Sequence, residues 1–185
     1  MQSLENQFLI AMPSLEDSYF ARSITYLCEH NDQGTMGIVI NQPVGMSLGE
    51  LLTQTIEDAT VLPNYADQIV LAGGPVNRDR GFILHTAQSG YSSSLSITSD
   101  IMVTTSKDIL PALGDGSGPE NSLVALGYAG WTAGQLEEEL QDNAWLTVEA
   151  DLNLLFDVPI HKKWEKALQK LGVNIWQLGS DVGHA

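Results

Sequence analysis

Cys28 and His30 stand two residues apart in Ile24-Thr25-Tyr26-Leu27-Cys28-Glu29-His30, a β-branched and aromatic run that reads as a strand, so their side chains share one face. A thiol beside an imidazole is the pairing by which cysteine nucleophiles are activated. His85 adds a third polar group if its own strand, residues 81–86, runs alongside, and the same three side chains are the chain's nearest approach to a metal-ligand set. The plainer reading weighs more. A lone strand cysteine is usually a small buried hydrophobe, and a histidine near a strand end is usually a hydrogen-bonded bystander. Spacing alone does not bring three ligands together, so no metal and no cofactor is expected.

Glycine-rich segments invite a phosphate reading, because backbone amides ahead of a helix form an anion site. Gly114-Asp115-Gly116-Ser117-Gly118-Pro119 begins a dinucleotide fingerprint, but Pro119 stands where its third glycine belongs, and no Lys followed by Ser or Thr completes a P-loop. In Gly127-Tyr128-Ala129-Gly130-Trp131-Thr132-Ala133-Gly134-Gln135 a strand runs into a helix. There Thr132 and Gln135 have capping-box spacing, and Glu137, Glu138 and Glu139 would repel a phosphate from the first turns. The expectation is a capped structural helix over residues 132–141, with Leu136 and Leu140 facing the core. Consecutive positions point different ways around a helix, so the three glutamates read as a solvated face and not as a carboxylate pair. No general acid is nominated.

The chain has 185 residues, 8 Lys and Arg against 23 Asp and Glu, and a formal charge of −15. That balance offers no general cationic field, so direct nucleic-acid binding is not expected, and an anionic membrane surface is not either. Lys162, Lys163, Lys166 and Lys170 are half of the positive charges and fall in one amphipathic helix over residues 160–171. Lys162, Lys166 and Lys170 make one stripe, and Trp164, Leu168 and Leu171 the apolar one. A surface helix whose cations complement its carboxyl-terminal dipole explains the pattern better than a contact with an acidic partner or a nucleic acid.

These residues must be positioned by elements that the patterning outlines. Asn31-Asp32-Gln33-Gly34 between two β-branched runs predicts a hairpin, with the second strand over residues 35–41 closed by Gln42-Pro43. Ser47 with Glu50 three residues on predicts a capped helix that buries Leu51, Leu52 and Ile56. Ile69-Val70-Leu71-Ala72 reads as a buried strand leading into Gly73-Gly74-Pro75. Further strands are expected at 81–86, 101–105, 122–127 and 145–148, with a Ser-rich loop or weak edge at 88–96 and a short helix capped by Ser106.

Strands and helices mix without regular βαβ alternation, which predicts an α+β fold: a mixed β-sheet with helices packed on it, compact. The whole of 1–185 reads as a single domain, or as one carrying a small α/β subdomain with a seam at the run from Gly114 to Pro119. A chain of this length buries roughly 70% of its unfolded surface, enough for an ordinary core. One cysteine forms no intrachain disulfide and points to a reducing compartment. The amino terminus carries no Lys or Arg before its short apolar run Phe8-Leu9-Ile10-Ala11-Met12, so a signal peptide is not expected, and no segment supplies the ~20 apolar residues of a membrane span. The expected location is cytoplasmic.

Several segments together resemble the AlgH/YqgE family of small bacterial proteins. They run from Phe8-Leu9-Ile10-Ala11-Met12-Pro13 through Tyr26-Leu27-Cys28-Glu29-His30, Gly37-Ile38-Val39-Ile40-Asn41-Gln42-Pro43, Gly73-Gly74-Pro75-Val76 and Leu84-His85. Gly127-Tyr128-Ala129-Gly130-Trp131, Gly134-Gln135-Leu136-Glu137, Asn143-Ala144-Trp145-Leu146 and Leu155-Phe156 complete them in order. The resemblance implies an α+β cytoplasmic protein. The family name derives from a proposed role in transcriptional regulation of alginate production, and it carries no assigned catalytic roles. Two functions follow as expectations. One is a non-catalytic regulatory or adaptor protein acting through a protein partner, with Trp131 and Trp164 as anchors. The other is an enzyme or a small-molecule or redox sensor that groups Cys28, His30 and His85 near the backbone of Gly73 and Gly74.

Overall fold

The computed structural model describes residues 2–15 and 19–173. In chain order its strands and helices are β1 (Gln7–Ala11), β2 (Ile24–Asn31), β3 (Gly34–Val39), β4 (Pro43–Ser47), α1 (Leu48–Thr55) and α2 (Pro63–Ala66). Next come β5 (Ile69–Ala72), β6 (Val76–Thr86), β7 (Ser94–Ser96), β8 (Ile101–Thr104) and α3 (Leu110–Asp115). The series closes with β9 (Ser122–Thr132), α4 (Gln135–Gln141), β10 (Trp145–Glu149) and α5 (Lys163–Lys170). The class is α+β, as the patterning predicts. The chain divides into two compact units: Met1–Asn41 with Gly130–Ala185, and Gln42–Ala129. The Gly114 to Pro119 run is not their boundary, since it lies within the second unit, where Gly116 ends α3 at φ +83°.

In the first unit the strand order is β10-β1-β2-β3, all antiparallel. The short apolar run near the amino terminus is therefore an interior strand. Phe8, Leu9, Ile10 and Ala11 are fully buried because β1 is covered on both faces. The β2–β3 hairpin forms as its turn residues predict, with a register shift between Leu27 and Glu29 that leaves Cys28 in a bulge.

In the second unit β9 pairs antiparallel with β6 and parallel with β5, β6 pairs with β8, and β8 with β7. Strand β4 pairs with β5. Sequence patterning omits β4, because Pro43 reads as a terminator; as the first residue of its strand it costs the sheet no interior hydrogen bond. The Ser47 capping box on α1 is present in both directions, Glu50 N–H to Ser47 Oγ at 3.2 Å and Ser47 N–H to Glu50 Oε2 at 3.3 Å. Leu48 and Leu52 of α1, Val70, Ile83, Ile109, Leu110, Leu113 and Val124 form the core beneath it.

Helix α4 and strand β6 have other bounds than the patterning predicts. Helix α4 begins at Gln135, after Gly134 at φ +82°, and Thr132 ends β9; the Gln135 carboxamide oxygen still accepts from Thr132 N–H at 3.0 Å. Strand β6 begins five residues early, at Val76, and bulges. Val76 stands opposite Tyr128 and Gly81 opposite Leu126, so residues 77–80 loop out from a much shorter stretch of β9. Gly127, at φ +81°, makes that bulge possible: a Cβ there would lie 2.4 Å from Gly74 O and 3.0 Å from Val76 O.

Candidate functional site

The reactive side chains lie in different units. Cys28 and His30 belong to the first, His85 and Gly73–Gly74 to the second. Cys28 is 1% exposed and its thiol meets Tyr26 O at 3.9 Å. Burial pushes that thiol well above its ordinary range, with Glu29 and Glu5 adding in the same direction, so it stays protonated. His30 has both ring nitrogens engaged. Leu4 N–H donates to Nδ1 at 2.9 Å, and Nε2 lies 2.6 Å from Glu137 Oε1. Glu137 thus leaves the solvated face expected of its cluster, and the His30 hydrogen bond holds its carboxyl below the ordinary glutamate range.

His85 is fully buried. Its Nδ1 donates to Thr86 O at 2.8 Å, so its Nε2 accepts from the Thr104 hydroxyl at 2.7 Å, and Ser94 Oγ stands 2.7 Å beyond. Burial lowers its pKa and the ring is neutral. Among the described residues, no group of three or more His, Cys, Asp or Glu is placed to hold a metal.

Gly73 and Gly74 are buried against β9. Gly73 N–H donates to Leu126 O at 2.8 Å, and a Cβ on Gly74 would fall 1.9 Å from the Tyr128 carbonyl carbon. Their role is close backbone approach. Trp131 is 6% and Trp164 5% exposed, so neither ring is presented at the surface. Trp131 packs edge-on to Trp145, while Trp164 Nε1–H donates to Ala11 O at 2.9 Å and carries Arg22 over its face.

On α5 and the turn before it, Lys162, Lys166 and Lys170 are exposed, whereas Lys163 is 1% exposed and donates to Leu155 O at 2.5 Å. Lys170 pairs with Asp151 at 2.9 Å. Leu171, expected in the buried stripe, is 37% exposed. Among the described residues, no helix is long and apolar enough to cross a membrane.

What the sequence does not reveal is a cavity of about 460 Å³ in the second unit, within the usual range for small-molecule sites. Its floor is apolar: Leu51, Ile83, Leu110, Val124 and Leu126. The β6 bulge supplies part of its wall, through Asn77, Asp79, Arg80, Gly81 and Ile83. Thr105, Ser106 and Lys107 also line it. The Ser106 hydroxyl donates to Asp108 Oδ1 at 2.5 Å, and this bond, with others from Ser92, holds the Asp108 carboxyl below its ordinary range. A carboxylate so stabilised is a poor base, so Ser106 is not an activated nucleophile. No Cys or His lines the cavity.

Comparisons with known proteins agree with one another. A family model described as AlgH-like matches residues 8–176. A UPF0301 protein of Pseudoalteromonas translucida is 53% identical over 185 residues, covering 100% of both chains. One of Vibrio cholerae serotype O1 is 52% identical over 186 residues, covering 99% of this chain and 100% of its own. Among solved structures, that of the AlgH protein from Pseudomonas aeruginosa superposes with a TM-score of 0.81 at 48% identity, covering 100% of this chain and 97% of the other. A Corynebacterium diphtheriae protein shares the fold at a TM-score of 0.70 and 18% identity, covering 92% and 88%.

Proposed function

From membership of the AlgH-like family, to which this chain belongs, we propose that it is a non-catalytic regulatory protein of the cytoplasm. In this reading it takes a small molecule into the cavity beside Gly81 and acts through contacts with other proteins, not by binding nucleic acid directly. The observation that carries the reading is a division of labour among side chains. Cys28, His30 and His85 are each committed to internal contacts, while the apolar cavity of the second unit is walled by side chains suited to holding a ligand and not to converting it. The charge of −15 favours protein and small-molecule partners over phosphate backbones. The single unit 1–185 expected from the sequence stays part of the proposal as a functional unit. An enzyme or redox sensor built on Cys28 is disfavoured by the buried, protonated thiol.

Gly81 supplies the test. A Cβ there meets only Ile83 Cδ1, at 3.7 Å, so Gly81→Phe projects a ring into the cavity without forcing the backbone. Titration with the neutral fluorophore N-phenyl-1-naphthylamine is expected to show saturable binding to the natural protein. Gly81→Phe should abolish it while leaving circular dichroism and thermal midpoint nearly unchanged. No saturable binding, or equal binding by the folded variant, would overturn the reading.

A further inference from the structure

Arg78, Arg80 and Lys107 are the only Lys or Arg residues in Gln42–Ala129. Two of the three line the same cavity, and the third is their neighbour in the bulge. In so acidic a chain, random placement would scatter them. Among the described residues, neither Lys107 nor Arg80 forms an ion pair; Arg80 rests its guanidinium 5.6 Å from the Phe82 ring centroid. The adjacent Asp108 carboxylate is turned to Ser92 and Ser106. Lys107 therefore lines the cavity without an ion-pair partner among the described residues, beside Thr105 and Ser106. Asp79 is the single acidic side chain in the lining.

We propose that the cavity binds a small amphipathic anion, with its apolar tail on Leu51, Ile83, Leu110, Val124 and Leu126 and its carboxylate-like head at Lys107. This rests on the ligand-binding reading above and specifies the ligand's chemical class. Burial of the tail supplies most of the affinity, and the exposed cation supplies preference and orientation. Asp79, the single acidic side chain in the lining, disfavours a second negative charge, so the head is a monoanion. Arg80 strengthens the positive field without touching the head.

The test uses three probes of equal chain length on the intact protein: octanoate, octan-1-ol and octylammonium, each displacing N-phenyl-1-naphthylamine at low ionic strength. Octanoate is expected to displace at about one-tenth the concentration octan-1-ol needs, and octylammonium no better than the alcohol. Lys107→Gln should erase the octanoate advantage and leave octan-1-ol unchanged, while Arg80→Gln should reduce it in part. Octan-1-ol matching octanoate, octylammonium binding best, or an advantage that survives Lys107→Gln would overturn the proposal while leaving the cavity's role in ligand binding intact. Failure of the fluorophore to bind at all would instead remove that role.

Discussion

His30 on β2 and Glu137 on α4 meet at 2.6 Å, Nε2 to Oε1, across 107 residues of sequence. Because the Leu4 N–H donates to Nδ1, that nitrogen carries no proton, and Nε2–H is the donor to the carboxylate. One imidazole thus ties the amino-terminal segment, the hairpin and α4 together. Nitrogen chemical shifts of His30 at neutral pH should be those of the Nε2–H tautomer; shifts of the opposite tautomer would contradict the arrangement.

The same contact sets a pH dependence. Glu137 has its folded carboxyl lowered, so its stabilisation is present above the ordinary glutamate value of about 4.3 and is lost as pH falls through the folded value. Glu137→Gln should cost about 1 kcal/mol or less at pH 7, since the carboxylate is partly solvated. Urea unfolding of both proteins at pH 7 and pH 3 checks this: the gap should close in acid, and a widening gap would refute the assignment.

Cys28 should resist alkylation. With burial holding the thiol protonated, iodoacetamide at pH 8 is expected to label the native protein at least about tenfold more slowly than the urea-unfolded chain. Mass spectrometry over a time course reads the rate, and equal rates would show an accessible thiolate.

Lys163 is shifted the other way from Cys28, and its pH dependence has the same sign as that of Glu137. Burial lowers its pKa to about 8, below the ordinary lysine value of about 10.4. Between those values the unfolded chain holds the extra proton, so this group makes folding stability rise with pH. Lys163→Met should remove that rise, although the Leu155 carbonyl then loses its donor at a cost of about 1 kcal/mol. The quantity to measure is the difference in unfolding free energy between the two proteins from pH 7 to pH 10; it should shift steadily in favour of the natural protein, and a flat difference would count against a strained ammonium.

Gly127→Ala should be among the most damaging single-methyl additions. The left-handed backbone alone costs a non-glycine residue about 1–2 kcal/mol, and the new Cβ would press on Gly74 O at 2.4 Å. Thermal unfolding should show a clear loss of stability, together with weaker N-phenyl-1-naphthylamine binding as the bulge shifts. An unchanged midpoint would mean that the backbone here relaxes at little cost.

Local signals made part of this fold legible. Asn31-Asp32-Gln33-Gly34 marks the hairpin, and Ser47 with Glu50 marks the start of α1, because turns and caps are written in adjacent residues. The β6 extension was not legible, since Asn77-Arg78-Asp79-Arg80 has the polarity of a loop and is held in the sheet by Gly127 on another strand. Nor was the cavity, whose walls come from α1, β6, β9 and the segment from Thr105 to Leu110. Its one readable trace was the placement of three cations in an otherwise acidic stretch. His30 could be singled out by its spacing from Cys28, but its partner Glu137 could not, because only tertiary packing joins them.

The bulge on β6 is fixed by main-chain fit, through Gly74 and Gly127, and not by the side chains it displays. Asp79 and Arg80 can therefore be exchanged at small cost to folding, whereas Asn77, at φ +49°, holds a left-handed backbone that few other residues tolerate. So long as the two glycines are kept, the selectivity of this mouth can be rewritten while the scaffold under it stays constant.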